Sequence, residues 1–194
     1  MPEAGYMVVS RANSSTDAPR DGSLRNVELK ARLKDFDAAG KVARKLATRR
    51  LASQHQVDTY FHCRDGRLKL RQIDGQQAQL VWYARPDQPG PKTSQYVLVP
   101  VANPQTLKMA LSAALGVRGV VEKRREIFLH HNVRIHLDNV VGLGRFIEFE
   151  AVLAPDMDDA AGHDRVDWLI EQFGIQPADL LPGSYGEMIE ETGG

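Results

Sequence analysis

The feature that most constrains this chain is an alternation. Between Asn26 and Lys34, Val27, Leu29, Ala31 and Leu33 fall on one side of an extended chain, and Asn26, Glu28, Lys30, Arg32 and Lys34 on the other. A period of two is the signature of a β-strand with two unlike faces. The pattern recurs. Arg67, Lys69 and Arg71 alternate with Leu68 and Leu70 after an Asp65-Gly66 turn, and residues 78–84 follow an Asp74-Gly75 turn as their hairpin partner. Residues 56–62, 95–101, 119–129, 132–138 and 146–153 read as further strands, with the Gly142-Leu143-Gly144 turn before the last of them.

Three helices are expected between these strands. One runs from Asp37, as its N-cap, to Arg50. A second follows the Asn103-Pro104 start and is closed by Gly116. A third runs from Asp158 or Asp159 to Phe173 and is closed by Gly174. Residues 86–94, rich in Pro and Gly, read as a loop; residues 177–181 read as one helical turn, and the chain from Pro182 as a tail. No βαβ alternation supports a parallel sheet. The expected fold is therefore α+β: an eight-stranded antiparallel β-barrel, or tunnel, with flanking helices. A chain of 194 residues suits a single domain, placed at 24–190, with residues 1–23 as a poorly ordered N-terminal tail. One cysteine, Cys63, excludes an internal disulfide and a multi-cysteine zinc site. With no signal-peptide pattern at the start and no apolar run near the ~20 residues a bilayer requires, a cytoplasmic protein without membrane contact is expected.

The formal net charge is zero, but zero is a sum. Residues 25–71 carry thirteen Lys/Arg against five acids, and residues 148–194 carry twelve acids against Arg165 alone. Within the strands the charges share faces: Glu28 with Lys30 and Arg32, Arg67 with Lys69 and Arg71, Lys123 with Arg125, Arg134 with His136 and Asp138, and Glu148 with Glu150. Outward-facing charge is the commoner arrangement. Inward-facing charge is the alternative, and a barrel allows it if the lumen binds a charged ligand and helices cover the apolar outside. Converging Arg and Lys side chains would then call for an oligo-anion such as a triphosphate, whose oxygens Arg matches bidentately. Glu28, Glu148 and Glu150 would be hard oxygen ligands for Mg²⁺ or Mn²⁺. Other candidates are weaker. His130-His131 has no third ligand at metal spacing, His62 and Cys63 read as packing, and Trp168 reads as core or interface. There is no P-loop, so any phosphate would be held by side chains.

At these same residues, over about 25–190, the sequence resembles the CYTH superfamily, the triphosphate tunnel metalloenzymes. The family's Glu-x-Glu-x-Lys signature stands here as Asn26-Val27-Glu28-Leu29-Lys30. Arg71 resembles the phosphate-binding arginine, and Arg85 sits where members place Lys or Arg. Lys123 and Arg125 match a Lys-x-Arg motif. Asp138, Gly142-Leu143-Gly144 and Glu148-Phe149-Glu150 match the late acidic motifs, and Ser184-Tyr185 the terminal Ser-Tyr.

The resemblance implies that Glu28, Glu148 and Glu150, with Asn26 as a weak uncharged donor, bind Mg²⁺ or Mn²⁺. It implies that Lys30, Arg32, Lys69, Arg71, Arg85, Lys123, Arg125 and Arg134 bind phosphates. Lys30 and Asp138 would act at the reacting centre, and Tyr185 would contact it from the C-terminus. The closest functional likeness is to class IV adenylyl cyclases, in which the ribose 3′-oxygen of ATP attacks the α-phosphorus and pyrophosphate leaves. The alternatives are a triphosphatase acting on inorganic or thiamine triphosphate, in which water attacks the terminal phosphorus, and a non-catalytic binder of polyphosphate or nucleotide, because Asn26 replaces the first signature glutamate. The partner expected is the triphosphate, without nucleic acid or membrane, and a homodimer is an allowed assembly.

Overall fold

The computed structural model describes residues 23–192. The elements run β1 (Leu24–Arg32), α1 (Phe36–Leu46), β2 (Arg49–Arg50), β3 (Gln54–Phe61), β4 (Arg67–Ile73), β5 (Gln77–Ala84), β6 (Lys92–Pro100), α2 (Pro104–Leu115), β7 (Val117–His130), β8 (Val133–Val140), β9 (Gly144–Leu153), α3 (Asp159–Phe173) and α4 (Tyr185–Thr192). A single 3₁₀ turn lies at Pro177–Asp179. The expected tail at 1–23 lies outside the described residues except for Ser23.

The sheet order is β2-β7-β3-β4-β5-β6-β1-β9-β8, and β8 pairs back onto β7. The eight long strands therefore close into an antiparallel barrel, and two-residue β2 extends the β7 edge beyond β3. Closure follows from the alternation. The odd positions of β1 (Val27, Leu29, Ala31) join Val133, Ile135, Leu137, Ile147, Phe149 and Ala151 on the outside of the barrel, buried beneath α1 and α3. On the opposite side, Phe61, Leu70 and Ala78 face Leu107 and Leu111 of α2. Helices α1, α2 and α3 thus shield apolar outer faces from water, and the charged faces of β1, β4, β8 and β9 are left to the lumen.

Local chemistry sets the joints. Asp74 and Gly75 both take positive φ (51° and 66°), as the tight β4–β5 hairpin requires. Gly162 lets α3 lie close on β1 and β9: a Cβ there would stand 2.7 Å from Val27 Cγ2 and 2.9 Å from Leu153 Cδ2.

Three sequence expectations are corrected. Asp35, not Asp37, caps α1, accepting from the Ala38 N–H at 2.9 Å. The helix stops at Leu46, because Arg49 and Arg50 turn extended to pair with Leu129 and Phe128. The segment after Pro182 is not a featureless tail but carries α4, which packs against β7. Among the described residues no helix is long and apolar enough to cross a membrane.

Candidate active site in the barrel lumen

Strand register sorts the lumen into rows. Glu28 on β1 lies opposite Glu150 on β9, which lies opposite Arg134 on β8. One step along, Lys30 faces Glu148, which faces His136. In the next row Arg32 faces Phe146, Phe146 faces Asp138, and Asp138 faces Arg125 on β7. The far wall supplies Asp58 and Tyr60 from β3 and Arg67, Lys69 and Arg71 from β4. Lys30, Lys69, Lys123 and Arg125 are all buried, which charge compensation makes tolerable, and buried Lys92 instead donates to the backbone carbonyls of Gln88, Leu181 and Pro182.

That compensation is visible. Asp58, wholly buried, takes Arg71 bidentately at 2.8 Å on each oxygen and Lys69 at 3.0 Å. Arg125 donates to both Asp138 oxygens at 2.7 and 2.6 Å and reaches Glu148 at 2.5 Å. Lys30 Nζ lies 3.0 Å from Glu148, and Arg85 Nε lies 2.7 Å from Glu28. Arg134 approaches Glu150 at 3.4 Å. The C-terminal segment completes one end. The Tyr185 hydroxyl donates to Asp138 at 2.9 Å, and its ring lies beneath the Lys30 and Lys123 ammonium groups at 4.0 and 4.9 Å. Lys92 and Arg85 donate to the Pro182 carbonyl, and Arg67 donates to Glu187 at 2.9 Å.

The electrostatics divide the carboxylates. Burial pushes Glu28 up, against the pull of Arg85. Burial would raise Glu148 too, but Lys30 and Arg125 together hold it well below the usual carboxylate range. Asp138 is likewise held low by Arg125 and Lys123 against burial, and Asp58 by Arg71 and Lys69. Among the cations, burial and Arg125 bring Lys123 down to about 7, and burial and Arg85 bring Lys92 to about 8. Burial and Arg125 also hold the His136 imidazole below its ordinary value.

One donor atom from each of His136, Glu148 and Glu150 lies within 4.8 Å of the others. His136 Nδ1 and Asn26 Oδ1 are both buried and have no hydrogen-bond partner within the described protein. The two carboxylates and the imidazole nitrogen of this cluster make a donor set that fits a divalent cation.

Nearly all the expected site residues meet in this lumen: Asn26, Glu28, Lys30, Lys69, Arg71, Arg85, Lys123, Arg125, Arg134, Asp138, Glu148, Glu150 and Tyr185. Arg32 is the outlier. It is exposed at the lumen's end, its guanidinium 5.3 Å from the Phe146 ring centre. Sequence reading missed Asp58, although it shares a strand face with Gln56 and Tyr60. It missed Lys92, because residues 86–94, rich in Pro and Gly, read as a loop, whereas β6 already begins at Lys92. His136 was placed on a charged face but not among the donors.

The family described as CYTH domain matches residues 24–185. Comparison with curated protein sequences gives no match. Among solved structures, a protein from Pyrococcus horikoshii OT3 superposes with a TM-score of 0.74 at 22% identity, over 84% of this chain and 98% of that one. A proposed adenylate cyclase from Vibrio parahaemolyticus gives 0.68 at 22% identity, over 87% and 98%. A proposed adenylyl cyclase from Hippeastrum, described as having a dominant triphosphatase activity, gives 0.59 at 15% identity, over 87% and 96%.

Proposed function

The chain belongs to the CYTH domain family, and on that premise we propose that it is a metal-dependent enzyme acting on a triphosphate, converting ATP to cyclic AMP and pyrophosphate. The observation that supports this most is the pairing inside the lumen. Lys30, Lys69, Arg71, Arg85, Lys92, Lys123, Arg125 and Arg134 come from six strands, or their ends, to one enclosed space. A run of phosphates offers each of them a replacement for its present carboxylate or carbonyl partner.

In this reading Arg71, Lys69, Lys123 and Arg125 hold phosphate oxygens along the far wall, while Arg85, Lys92, Arg134 and Lys30 hold them along the near wall. Arg32 meets the substrate only at the lumen's end. Asn26, Glu28, Glu148 and Glu150 would hold Mg²⁺ or Mn²⁺, which when bound offsets charge on phosphate oxygens. In this reading Asp138, anchored by Arg125 and by the Tyr185 hydroxyl, would orient the attacking hydroxyl, and Lys30 would offset negative charge on the leaving oxygens. Enclosure keeps water from competing with the ribose oxygen.

Product analysis tests the reading. Incubation with ATP and Mn²⁺ should yield cyclic AMP and pyrophosphate; orthophosphate from inorganic or thiamine triphosphate would instead identify a triphosphatase. Tight calorimetric binding of triphosphate without turnover would identify a binder. Arg71→Ala and Lys123→Ala should each weaken inorganic triphosphate binding by on the order of tenfold or more, the loss of one charge-assisted contact. Unchanged binding in both would remove the lumen from the reading altogether.

A further inference from the structure

The first strand is a poor place to build a cation site in this chain. Its first signature position is Asn26, which brings no charge and leaves Glu28 as the strand's one carboxylate donor. The donors crowd one strand over. Across β9, His136 Nδ1 lies 3.6 Å from Glu148 Oε2 and 3.7 Å from Glu150 Oε1. Both separations exceed hydrogen-bond reach. The side chain is 4% exposed, and its Nδ1 makes no hydrogen bond within the described protein. A buried ring nitrogen aimed at two carboxylates and bonded to neither costs free energy unless something binds between them.

We infer that His136 is a ligand of the divalent cation, together with Glu148 and Glu150, and that the site therefore favours Zn²⁺, Co²⁺ or Mn²⁺ over Mg²⁺. The inference rests on the proposed reading of the lumen as a metal-assisted triphosphate site, and it changes that site's donors and metal. Mg²⁺ takes oxygen ligands and gives up water reluctantly, whereas an imidazole nitrogen suits the borderline transition metals. Replacement of an acid by Asn26 on β1 and the presence of His136 on β8 act in the same direction. Together they remove a hard, charged donor and supply a softer neutral one.

The probe is the metal ion alone, added to the whole chain without triphosphate. Pulsed electron paramagnetic resonance of bound Mn²⁺ should show coupling to a directly bonded nitrogen. The pattern should change to that of ¹⁵N in protein labelled at histidine, and should vanish in His136→Gln. Calorimetry should give tighter binding of Zn²⁺ and Mn²⁺ than of Mg²⁺. His136→Gln should weaken the first two by about tenfold or more, the scale of losing a metal-site partner, and Mg²⁺ by less than about twofold.

Bound Mn²⁺ without nitrogen coupling overturns the inference, as does a wild-type protein that binds Mg²⁺ as tightly as Zn²⁺. The second measurement needs no variant to fold. If triphosphate is still turned over with Mg²⁺ while no nitrogen coupling appears, the lumen reading stands and the His136 ligand falls. Nitrogen-coupled Mn²⁺ with no triphosphate binding or turnover gives the reverse.

Discussion

At the scale of single residues, Lys123 carries a pH dependence whose sign follows from its surroundings. Burial, reinforced by Arg125, brings its ammonium down to about 7. The ligand-free protein thus sheds this proton as pH rises through about 7, far below the ordinary lysine value. A polyanion seated beside it restores the charged form. On binding of inorganic triphosphate at about pH 8, Lys123 should take up close to one proton from the buffer, and Lys92, which is held to about 8, a smaller share. The Lys123 share should fade below about pH 6, where the group is already charged. Calorimetry in buffers of different ionisation heat measures it, and Lys123→Arg, which stays charged throughout, should remove it. An uptake unchanged in that variant would sink the assignment. The same scale shows where sequence reading stopped. Glu28, Lys30, Arg71, Lys123, Arg125, Asp138, Glu148 and Glu150 were legible because alternation and motif spacing agreed on them. Asp58 was not, because its role is to neutralise Arg71 and Lys69 across the β3–β4 ladder, and a partner of that kind exists only once register is known.

At the scale of elements, strands were easier to read than helix ends. A period of two survives any tertiary context that leaves one face buried, so the long strands fell within a few residues of their observed bounds. Helix ends are decided by competition. Arg49 and Arg50 continue the helical spacing of α1, but pairing with β7 wins them. Helix α4 had a readable start: the Ser184 N–H and hydroxyl donate to Glu187 Oε2 at 2.7 and 3.1 Å, and Ser184 Oγ accepts from the Glu187 N–H. This Ser-x-x-Glu capping box was masked by the preceding Pro182-Gly183. The seating of α3 gives a prediction at this scale. Gly162→Ala forces a methyl into Val27 and Leu153 on the barrel's outer face, and should destabilise the fold by about 1–3 kcal/mol. Urea denaturation reads the change. Triphosphate affinity of the folded fraction should be unaltered, because the contact lies outside the lumen.

The whole molecule is held together by closure. The apolar layer beneath α1 and α3 and the one beneath α2 lie on opposite outer sides, yet the same ring of hydrogen-bonded strands passes through both. Opening either side breaks the ring for the other. The two tryptophans report the two sides, Trp82 on β5 and Trp168 on α3. In Trp82→Phe and Trp168→Phe, the remaining fluorophore should lose its signal at the same denaturant midpoint as the far-ultraviolet circular dichroism. Separated midpoints would mean that the barrel unfolds in halves. The zero net charge also belongs to this scale. It coexists with a densely charged interior, so it constrained solubility more than function.

Closure has a further consequence, in time rather than in space. The ribosome makes β1 first, but its neighbours in the ring are β6 and β9. Arg25 pairs with Gln95 on one side and with Leu153 on the other. At ~5–20 residues per second, the second partner follows β1 by roughly 6–25 s. Through that interval a strand with one greasy face and one charged face waits with an open edge. The order of synthesis, rather than the finished structure, therefore sets how long the β1 edge lacks its second partner.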